Sequence, residues 1–259
     1  MPFFCFAQKL PNKQEVSLWA PKDIQANGKV DEWHNTFMAY NHQVDLFYSI
    51  ANDDDNIYFV IHSAIPVINR KIMNYGISIT LNVIEKKEKS GITVSYPYLT
   101  KAERSAALQI MMRSGAISSL KDGATVQEEQ AYWKRRDSLM AITDSKILTL
   151  FKNVKIEGIK EIGPIIATDN QFEVKVAALP TGHDFNYELA IPKKYLGTLA
   201  DGQTIHYQIK LSGPPPNDAG TGTLIVVDGG SYVNQDGIDL RSLSTHTDFW
   251  GEYKMAKRP

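Results

Sequence analysis

A series of short apolar runs, separated by turn-forming residues, constrains the fold of this chain more than any other feature. Residues 44–50 place apolar side chains at alternate positions, as in a strand with one buried face. Residues 51–56 are rich in Asn and Asp, and residues 57–62 are rich in β-branched and aromatic side chains. The three stretches predict a β-hairpin. Further predicted strands cover residues 77–83, 92–96, 172–177, 187–191, 205–211, 223–227 and 248–255.

The strand pattern is interrupted between residues 100 and 151. Thr100 and Glu103 form the capping-box pattern that opens a helix, and Thr125 with Glu128 repeats it. Apolar residues at helical spacing follow both signatures, and strand patterns resume afterwards. We therefore predict an all-β fold, an antiparallel β-sandwich with a helical insertion at about 100–150, forming a single domain over residues 8–259.

Charge and hydropathy exclude two classes of protein. Lys and Arg number 28 against 29 Asp and Glu, for a net charge of −1, so there is no basic excess to bind nucleic acid. The most apolar stretch, residues 57–68, is interrupted by His62, Ser63 and Pro66. It falls short of the roughly 20 apolar residues that cross a bilayer, so no membrane span is predicted.

The first seven residues, MPFFCFA, have two interpretations. They resemble the end of a secretory signal peptide, with a small residue, Ala7, before the cleavage point and a polar residue after it. This interpretation implies an exported protein, periplasmic or extracellular, whose true start lies upstream. The alternative is an ordinary apolar N-terminus. Cys5 is the single cysteine, so no intramolecular disulfide is expected.

The sequence has no recognisable catalytic motif. It contains no G-x-S-x-G nucleophile elbow, and its six His residues are scattered without zinc-binding spacing. Paired carboxylates for glycoside hydrolysis cannot be singled out among the 29 acidic residues. We therefore predict a binding protein with no cofactor, not an enzyme.

Asp53, Asp54 and Asp55 form the one dense acidic cluster, and they are a candidate metal site. Hard carboxylate oxygens close together suit calcium. The cluster lacks the glycine and distal glutamate of an EF-hand loop. The alternative is a hairpin turn, where Asp and Asn are common.

Aromatic residues are the better candidates for a ligand site, because a sugar presents an apolar C–H face to a flat ring and hydroxyls to polar side chains. In the last predicted strand, Trp250 shares the polar face with Glu252, and the alternative is that the helical insertion covers it. Tyr98 and Trp133 complete the candidate carbohydrate-binding set. Trp133 has its own alternative, as part of the apolar face of its helix.

Three stretches, in this order along the chain, resemble family 9 carbohydrate-binding modules and their DOMON-like relatives. Residues 27–33 read NGKVDEW, residues 52–59 read NDDDNIYF, and residues 185–197 read FNYELAIPKKYLG. The resemblance implies a jelly-roll-like β-sandwich, export, and glycan binding without cleavage in bacterial polysaccharide utilisation. The chain departs from the family at residues 74–79, which lack an acidic stretch, and in its helical insertion.

The same resemblance gives Trp33 a structural role, as an anchor of the core where the sandwich begins. It also leaves two alternatives to glycan binding. Some DOMON-like domains hold haem between Met and His. The second alternative is a protein-interaction domain that would bind a partner through the helical insertion. The candidate haem ligands are Met38, Met73, Met111, Met112 and Met255, with His62 or His246.

Overall fold

The structure, a computed structural model, describes residues 9–22, 24–84, 91–114, 123–197, 199, 202–215 and 245–259, and omits the side chains of residues 112–114. The N-terminal residues 1–7, the predicted strand at 223–227 and the side chain of Met112 therefore lie outside what is described.

Two antiparallel sheets pack face to face. The strands are β1 (Ala39–Asn41), β2 (Leu46–Asn52), β3 (Asn56–Ser63), β4 (Ile77–Asn82), β5 (Ile92–Tyr96), β6 (Asn153–Glu157), β7 (Ile165–Ala167), β8 (Lys175–Thr181), β9 (Asp184–Pro192), β10 (Thr204–Leu211) and β11 (Thr247–Lys254). One sheet has five strands in the order β1-β2-β3-β9-β8. The other has six in the order β11-β10-β4-β5-β6-β7. The chain crosses between the sheets after β3, β7 and β9.

Three α-helices accompany the strands: α1 (Pro66–Tyr75), α2 (Lys101–Ser114) and α3 (Val126–Leu148). Helix α1 makes the crossing from β3 to β4. Helices α2 and α3 lie between β5 and β6, which are neighbours in the six-stranded sheet, so they form an excursion from that sheet. The predicted all-β antiparallel sandwich with a helical insertion is confirmed. Within the described ranges, no helix is long and apolar enough to cross a membrane.

Local sequence explains where these helices begin. Thr125 accepts a hydrogen bond from the backbone of Glu128, whose side chain accepts one from Thr125 in return, so the predicted capping box opens α3. Helix α1 was not predicted from the sequence. It begins with Pro66 at its first turn, where a missing N–H is tolerated, and ends at Gly76 with φ of +79°.

The inner faces of both sheets form one apolar core, with tyrosines at its centre. The Tyr48 and Tyr207 hydroxyls, which come from opposite sheets, hydrogen-bond to each other at 2.8 Å. In β11, Phe249 and Tyr253 face this core, as their spacing predicts. Gly251 lies between them, directly across from Tyr207. The missing side chain at Gly251 makes room for the tyrosine ring.

Substituting Gly251 by Ala should therefore destabilise the sandwich. An added Cβ would lie 2.2 Å from the ring of Tyr207, so that ring would have to move in a packed core. We expect a loss of about 2 kcal/mol in the free energy of unfolding, measured by urea denaturation. Gly163→Ala is the matched control, because a Cβ there meets nothing within 4 Å. An unchanged midpoint for Gly251→Ala would contradict this account of the core.

Candidate functional site

The central part of the outer face of the five-stranded sheet is covered by the protein's own N-terminal segment, defined here as residues 18–37. A second apolar cluster, separate from the core, lies between this segment and the sheet. Trp33 is its largest member and is only 5% exposed. The buried residues of the cluster are Ala20, Val30, Trp33, Ala51, Tyr58, Val60 and Ala190. Trp33 therefore anchors the segment, and the surface beneath it is not open to a ligand.

A buried carboxylate on β9, that of Glu188, fastens this segment to the sheet. One oxygen accepts hydrogen bonds from the backbone N–H groups of Asn27 at 2.9 Å and Gly28 at 2.8 Å. The other accepts the indole N–H of Trp33 at 2.8 Å. Burial raises the pKa of Glu188, and nearby Glu32 acts in the same direction, while the three donors oppose the rise.

Asp53 shapes the hairpin turn between β2 and β3. Its Oδ1 accepts hydrogen bonds from the backbone N–H groups of Asp55 at 2.8 Å and Asn56 at 2.7 Å. Its Oδ2 accepts the hydroxyl hydrogen of Tyr58 at 2.7 Å. Both carboxylate oxygens of Asp53 are thus engaged by donors from the turn.

The other two residues of the acidic cluster also serve structural contacts. Asp54 pairs with Arg258 at 2.9 Å, and the backbone carbonyl of Asp55 accepts a hydrogen bond from the backbone N–H of Lys193. Among the described residues, no group of three or more His, Cys, Asp or Glu side chains could hold a metal ion. The cluster therefore forms the hairpin turn between β2 and β3, and calcium binding there stays a prediction.

A groove of about 720 Å³ lies on the outer face of the six-stranded sheet. Strands β4, β5, β6 and β10 form its floor. The end of α1, the chain after β5 and the first turns of α2 form its walls. The described residues leave this groove open on part of the outer face of the six-stranded sheet, so we take it as the candidate functional site.

Polar side chains form a continuous row across this face. The strand register aligns Trp250, Gln208, Thr80, Thr93 and Glu157 on five consecutive strands. The Thr80 and Thr93 hydroxyls hydrogen-bond to each other at 2.9 Å. Because these hydroxyls belong to paired strands, their positions are fixed by the sheet.

A second row runs parallel to the first, displaced by two residues along each strand. It aligns Asp248, Lys210, Ser78, Ser95 and Lys155. The Ser78 and Ser95 hydroxyls hydrogen-bond to each other at 2.7 Å. The floor of the groove therefore carries four small hydroxyl side chains, of which Thr80 is buried and Ser78, Thr93 and Ser95 are partly exposed. A lysine lies on either side of the serine pair.

Three residues characterise the walls. Asn74, on α1, is 9% exposed, and its side-chain oxygen has no hydrogen-bond partner among the described residues. Tyr98 is half-buried and is positioned by its backbone N–H, which donates to the carbonyl of Asn153 at 3.0 Å. Arg104, on α2, donates a guanidinium hydrogen bond to the carbonyl of Leu99. The walls thus offer a buried acceptor, an aromatic ring and a cation.

The structure brings some of the predicted carbohydrate-binding residues together. Tyr98 lines the groove, and half-buried Trp250 with exposed Glu252 continues the same sheet face on edge strand β11. Trp133 does not belong to this surface. It is 46% exposed on α3, where the guanidinium carbon of Arg136 lies 5.0 Å from its ring centroid.

The hydroxyl floor and Asn74 were not among the candidates from the sequence. A signal for the floor exists, because residues 77–82 and 92–96 read ISITLN and ITVSY, with small polar residues at every second position. No local signal marks Asn74, which lies in the helix that the sequence did not predict.

Three of the candidate haem methionines lie on the opposite side of the five-stranded sheet from His62. Met73 and Met255 are buried in the sandwich core, and Met111 packs against it. His62 lies on the other side of its sheet, where its Nδ1 hydrogen-bonds with the side-chain oxygen of Asn186 at 2.8 Å. These three methionines therefore do not face His62.

A smaller cavity, of about 630 Å³, lies between α3 and the turn joining β8 to β9. In the wall of this cavity, Asp144 accepts a hydrogen bond from the backbone N–H of Gly182 at 2.7 Å. Burial raises the pKa of Asp144, and this hydrogen bond opposes the rise. No aromatic ring lines the described part of this cavity other than the imidazole of His183, so it offers no stacking surface for a sugar.

Comparisons with known proteins add no family. No protein-family model matches the chain, and no curated protein sequence is significantly similar to it.

Replacing Glu188 by Ala should loosen the N-terminal segment. The change removes the acceptor of three N–H donors, of which those of Gly28 and Trp33 are buried. We expect the free energy of unfolding to fall by about 3 kcal/mol, measured by urea denaturation. Glu161→Ala, at an exposed acid, is the control and should be neutral. Equal stability of the two variants would contradict the proposed role of Glu188.

The pH dependence of stability should also report on Glu188. Its folded-state pKa is raised above its ordinary value of 4.5, so the folded state retains a proton that the unfolded state releases. The stability of the wild type, relative to Glu188→Gln, should therefore fall as pH rises from 4.5 through the folded-state pKa. Urea midpoints of both proteins across this window would measure the difference. A difference that stays constant or grows in favour of the wild type would show that the pKa is not raised.

Proposed function

We propose that the protein binds a glycan without cleaving it, in the groove on the outer face of the six-stranded sheet. The proposal includes export from a bacterial cell and a role in polysaccharide utilisation, as the resemblance of residues 27–33, 52–59 and 185–197 implies.

The observation that carries the proposal is the combination of polar groups and an aromatic ring in one groove. A saccharide presents hydroxyls, which both donate and accept, and an apolar ring face. The groove supplies hydroxyls from Thr93 and Ser95, an unpartnered acceptor from Asn74 and a ring from Tyr98. Each chemical feature of a sugar therefore has a counterpart in the floor or walls.

The position of these groups on paired strands supports the same proposal. The four floor hydroxyls are held by the ladders that join β10 to β4 and β4 to β5. A site built on strands loses little conformational entropy when it binds a ligand, which favours affinity. The floor is thus preorganised.

Binding without cleavage is favoured because the described lining of the groove holds no carboxyl pair of the kind that glycoside hydrolysis ordinarily uses. Glu157 is the one carboxylate among the described lining residues, and it forms an ion pair with Lys155 at 2.9 Å. A partner acid on the opposite wall would be needed to protonate or displace a leaving group.

A glycan array followed by calorimetry on the best ligand would test this function. The array should contain soluble glucans, xylan, mannan, polygalacturonate and sulfated glycans. We expect Tyr98→Ala to weaken binding about tenfold, because the lost stacking and burial are worth about 1.4 kcal/mol. We expect Trp250→Ala to have a smaller effect, because Trp250 lies on the same face beyond the cavity.

Trp133→Ala is the matched control, since this indole is exposed but lies on α3, outside the groove. Its affinity should equal that of the wild type. Loss of binding in Trp133→Ala with full binding in Tyr98→Ala would move the site to the helical insertion. Absence of binding to every glycan on the array would overturn the proposed function.

A further inference from the structure

The turn at Asn27 and Gly28 combines two requirements that conflict chemically. Gly28 has φ of +80°, and an added Cβ there would lie 2.9 Å from the Cβ of Leu179, so the fold favours glycine at this position. Asparagine is chemically labile, and it is most labile before glycine, because no side chain shields the peptide nitrogen that attacks its amide. Asn followed by Gly occurs once in the chain, at this turn. The sequence is therefore prone to deamidation where the N-terminal segment contacts the sheet.

Deamidation at this turn uses only groups of the chain and water. The Gly28 nitrogen gives up its hydrogen to a base in solution and forms a bond to Cγ of Asn27. The bond from Cγ to Nδ2 breaks, and Nδ2 takes up a proton and leaves as ammonia, so a succinimide ring remains. Water then opens the ring at one of its two carbonyls, which gives aspartate or isoaspartate. Asn27 is exposed, so water reaches the reacting amide.

Glu188 opposes the first step of this reaction. Its Oε2 accepts the N–H of Gly28 at 2.8 Å, and this hydrogen bond must break before the nitrogen attacks. The nitrogen must also become negative beside a carboxylate that is only 2% exposed, and like charges repel strongly where little water screens them. The Asn27 side chain is held as well, because its Oδ1 accepts the backbone N–H of Lys29 at 2.7 Å. The reaction therefore proceeds from opened states in which Gly28 has left Glu188.

The product would weaken the contact with Glu188. Ring closure leaves the Gly28 nitrogen without a hydrogen, so the carboxylate loses one of its three donors. Ring opening then places a carboxylate at position 27, where the amide Nδ2 of Asn27 donates to Oε1 of Glu32 at 3.3 Å before the reaction. A negative charge thus replaces a donor beside two acids, Glu32 and Glu188, which already disfavour each other's charge. Isoaspartate also lengthens the backbone by a methylene group, which moves the two backbone N–H groups apart.

We propose that Asn27 is a deamidation site that Glu188 protects, and that its modification releases residues 18–37 from the five-stranded sheet. Loss of ammonia makes the change irreversible, and each product weakens the contact that slows the reaction. The modification is therefore a one-way switch that uncovers the apolar cluster around Tyr58 and Val60. The site lies on the sheet opposite the groove and does not depend on glycan binding.

Peptide mapping by mass spectrometry tests the protection. The wild type is incubated at mildly alkaline pH in buffer and in guanidinium chloride, and conversion of Asn27 to aspartate and isoaspartate is followed over time. We expect conversion to be at least about tenfold slower in buffer, since only opened states react. Asn170, which precedes Gln, is the internal reference and should convert far more slowly than Asn27 in the denaturant.

Two variants test the role of Glu188 in folded protein. Glu188→Gln should raise the rate in buffer severalfold, because an amide NH₂ group donates and cannot replace a carboxylate oxygen as acceptor. Trp33→Phe removes the indole donor and keeps the carboxylate, and it should raise the rate as well by loosening the segment. Circular dichroism shows whether each variant is folded, and Trp33→Phe decides the matter if Glu188→Gln is not.

Asn27→Asp tests the release of the segment, because it reproduces one product. We expect a lower urea midpoint for Asn27→Asp than for Asn27→Ser. The serine variant is the matched control, since it keeps an oxygen for the N–H of Lys29 and adds no charge.

Three results would overturn the proposal. The first is an equal rate of conversion in buffer and in guanidinium chloride, or no conversion of Asn27 in either. The second is the wild-type rate in every folded variant of Glu188 and Trp33, which would show that the docked segment does not control the reaction. The third is an equal urea midpoint for Asn27→Asp and Asn27→Ser, which would show that the product leaves the segment in place.

Discussion

A buried carboxylate, that of Glu188, determines which face of the sandwich is available for a ligand. A carboxylate removed from water must be satisfied by donors, and here all its donors come from the N-terminal segment. The segment therefore packs against the five-stranded sheet, where Trp33 belongs to an apolar cluster. The central part of the outer face of that sheet becomes part of the interior. The groove among the described residues lies on the polar face of the other, six-stranded sheet.

The three stretches that resemble carbohydrate-binding modules contact one another, and these contacts are structural. Trp33 of the first is bonded to Glu188 of the third. Lys193 of the third bonds through its backbone and its side chain to the hairpin formed by the second. None of these contacts lies in the groove. These residues therefore hold the sandwich together, and the proposed ligand site is formed by other residues, on the opposite sheet.

Alternation and capping signals were sufficient to predict most strands, both helices of the insertion and the inward face of β11. Each of these signals is local, because a side chain's face follows from its own spacing along the chain. The groove could not be predicted in the same way. Thr80 and Thr93 meet through the local pairing of β4 with β5. Gln208 joins them only through the pairing of β10 with β4, across more than a hundred residues. Asn74 lies in α1, a short helix bracketed by Pro66 and Gly76 within a region of strand-like composition.

The helical insertion converts a flat sheet face into a groove. Strands β5 and β6 are adjacent, and a short turn could join them, yet the chain leaves the sheet between them for α2 and α3. The departing chain places Tyr98 beside the floor, and the first turn of α2 adds Arg104. Helix α3 leads the chain back to the sheet. Only the last part of this helix is packed, because its buried residues are Thr143 and Ile147. The insertion therefore supplies the aromatic ring and one cation of the wall, which a simple sandwich module would lack. On this argument, the insertion at residues 100–150 shapes the proposed ligand site.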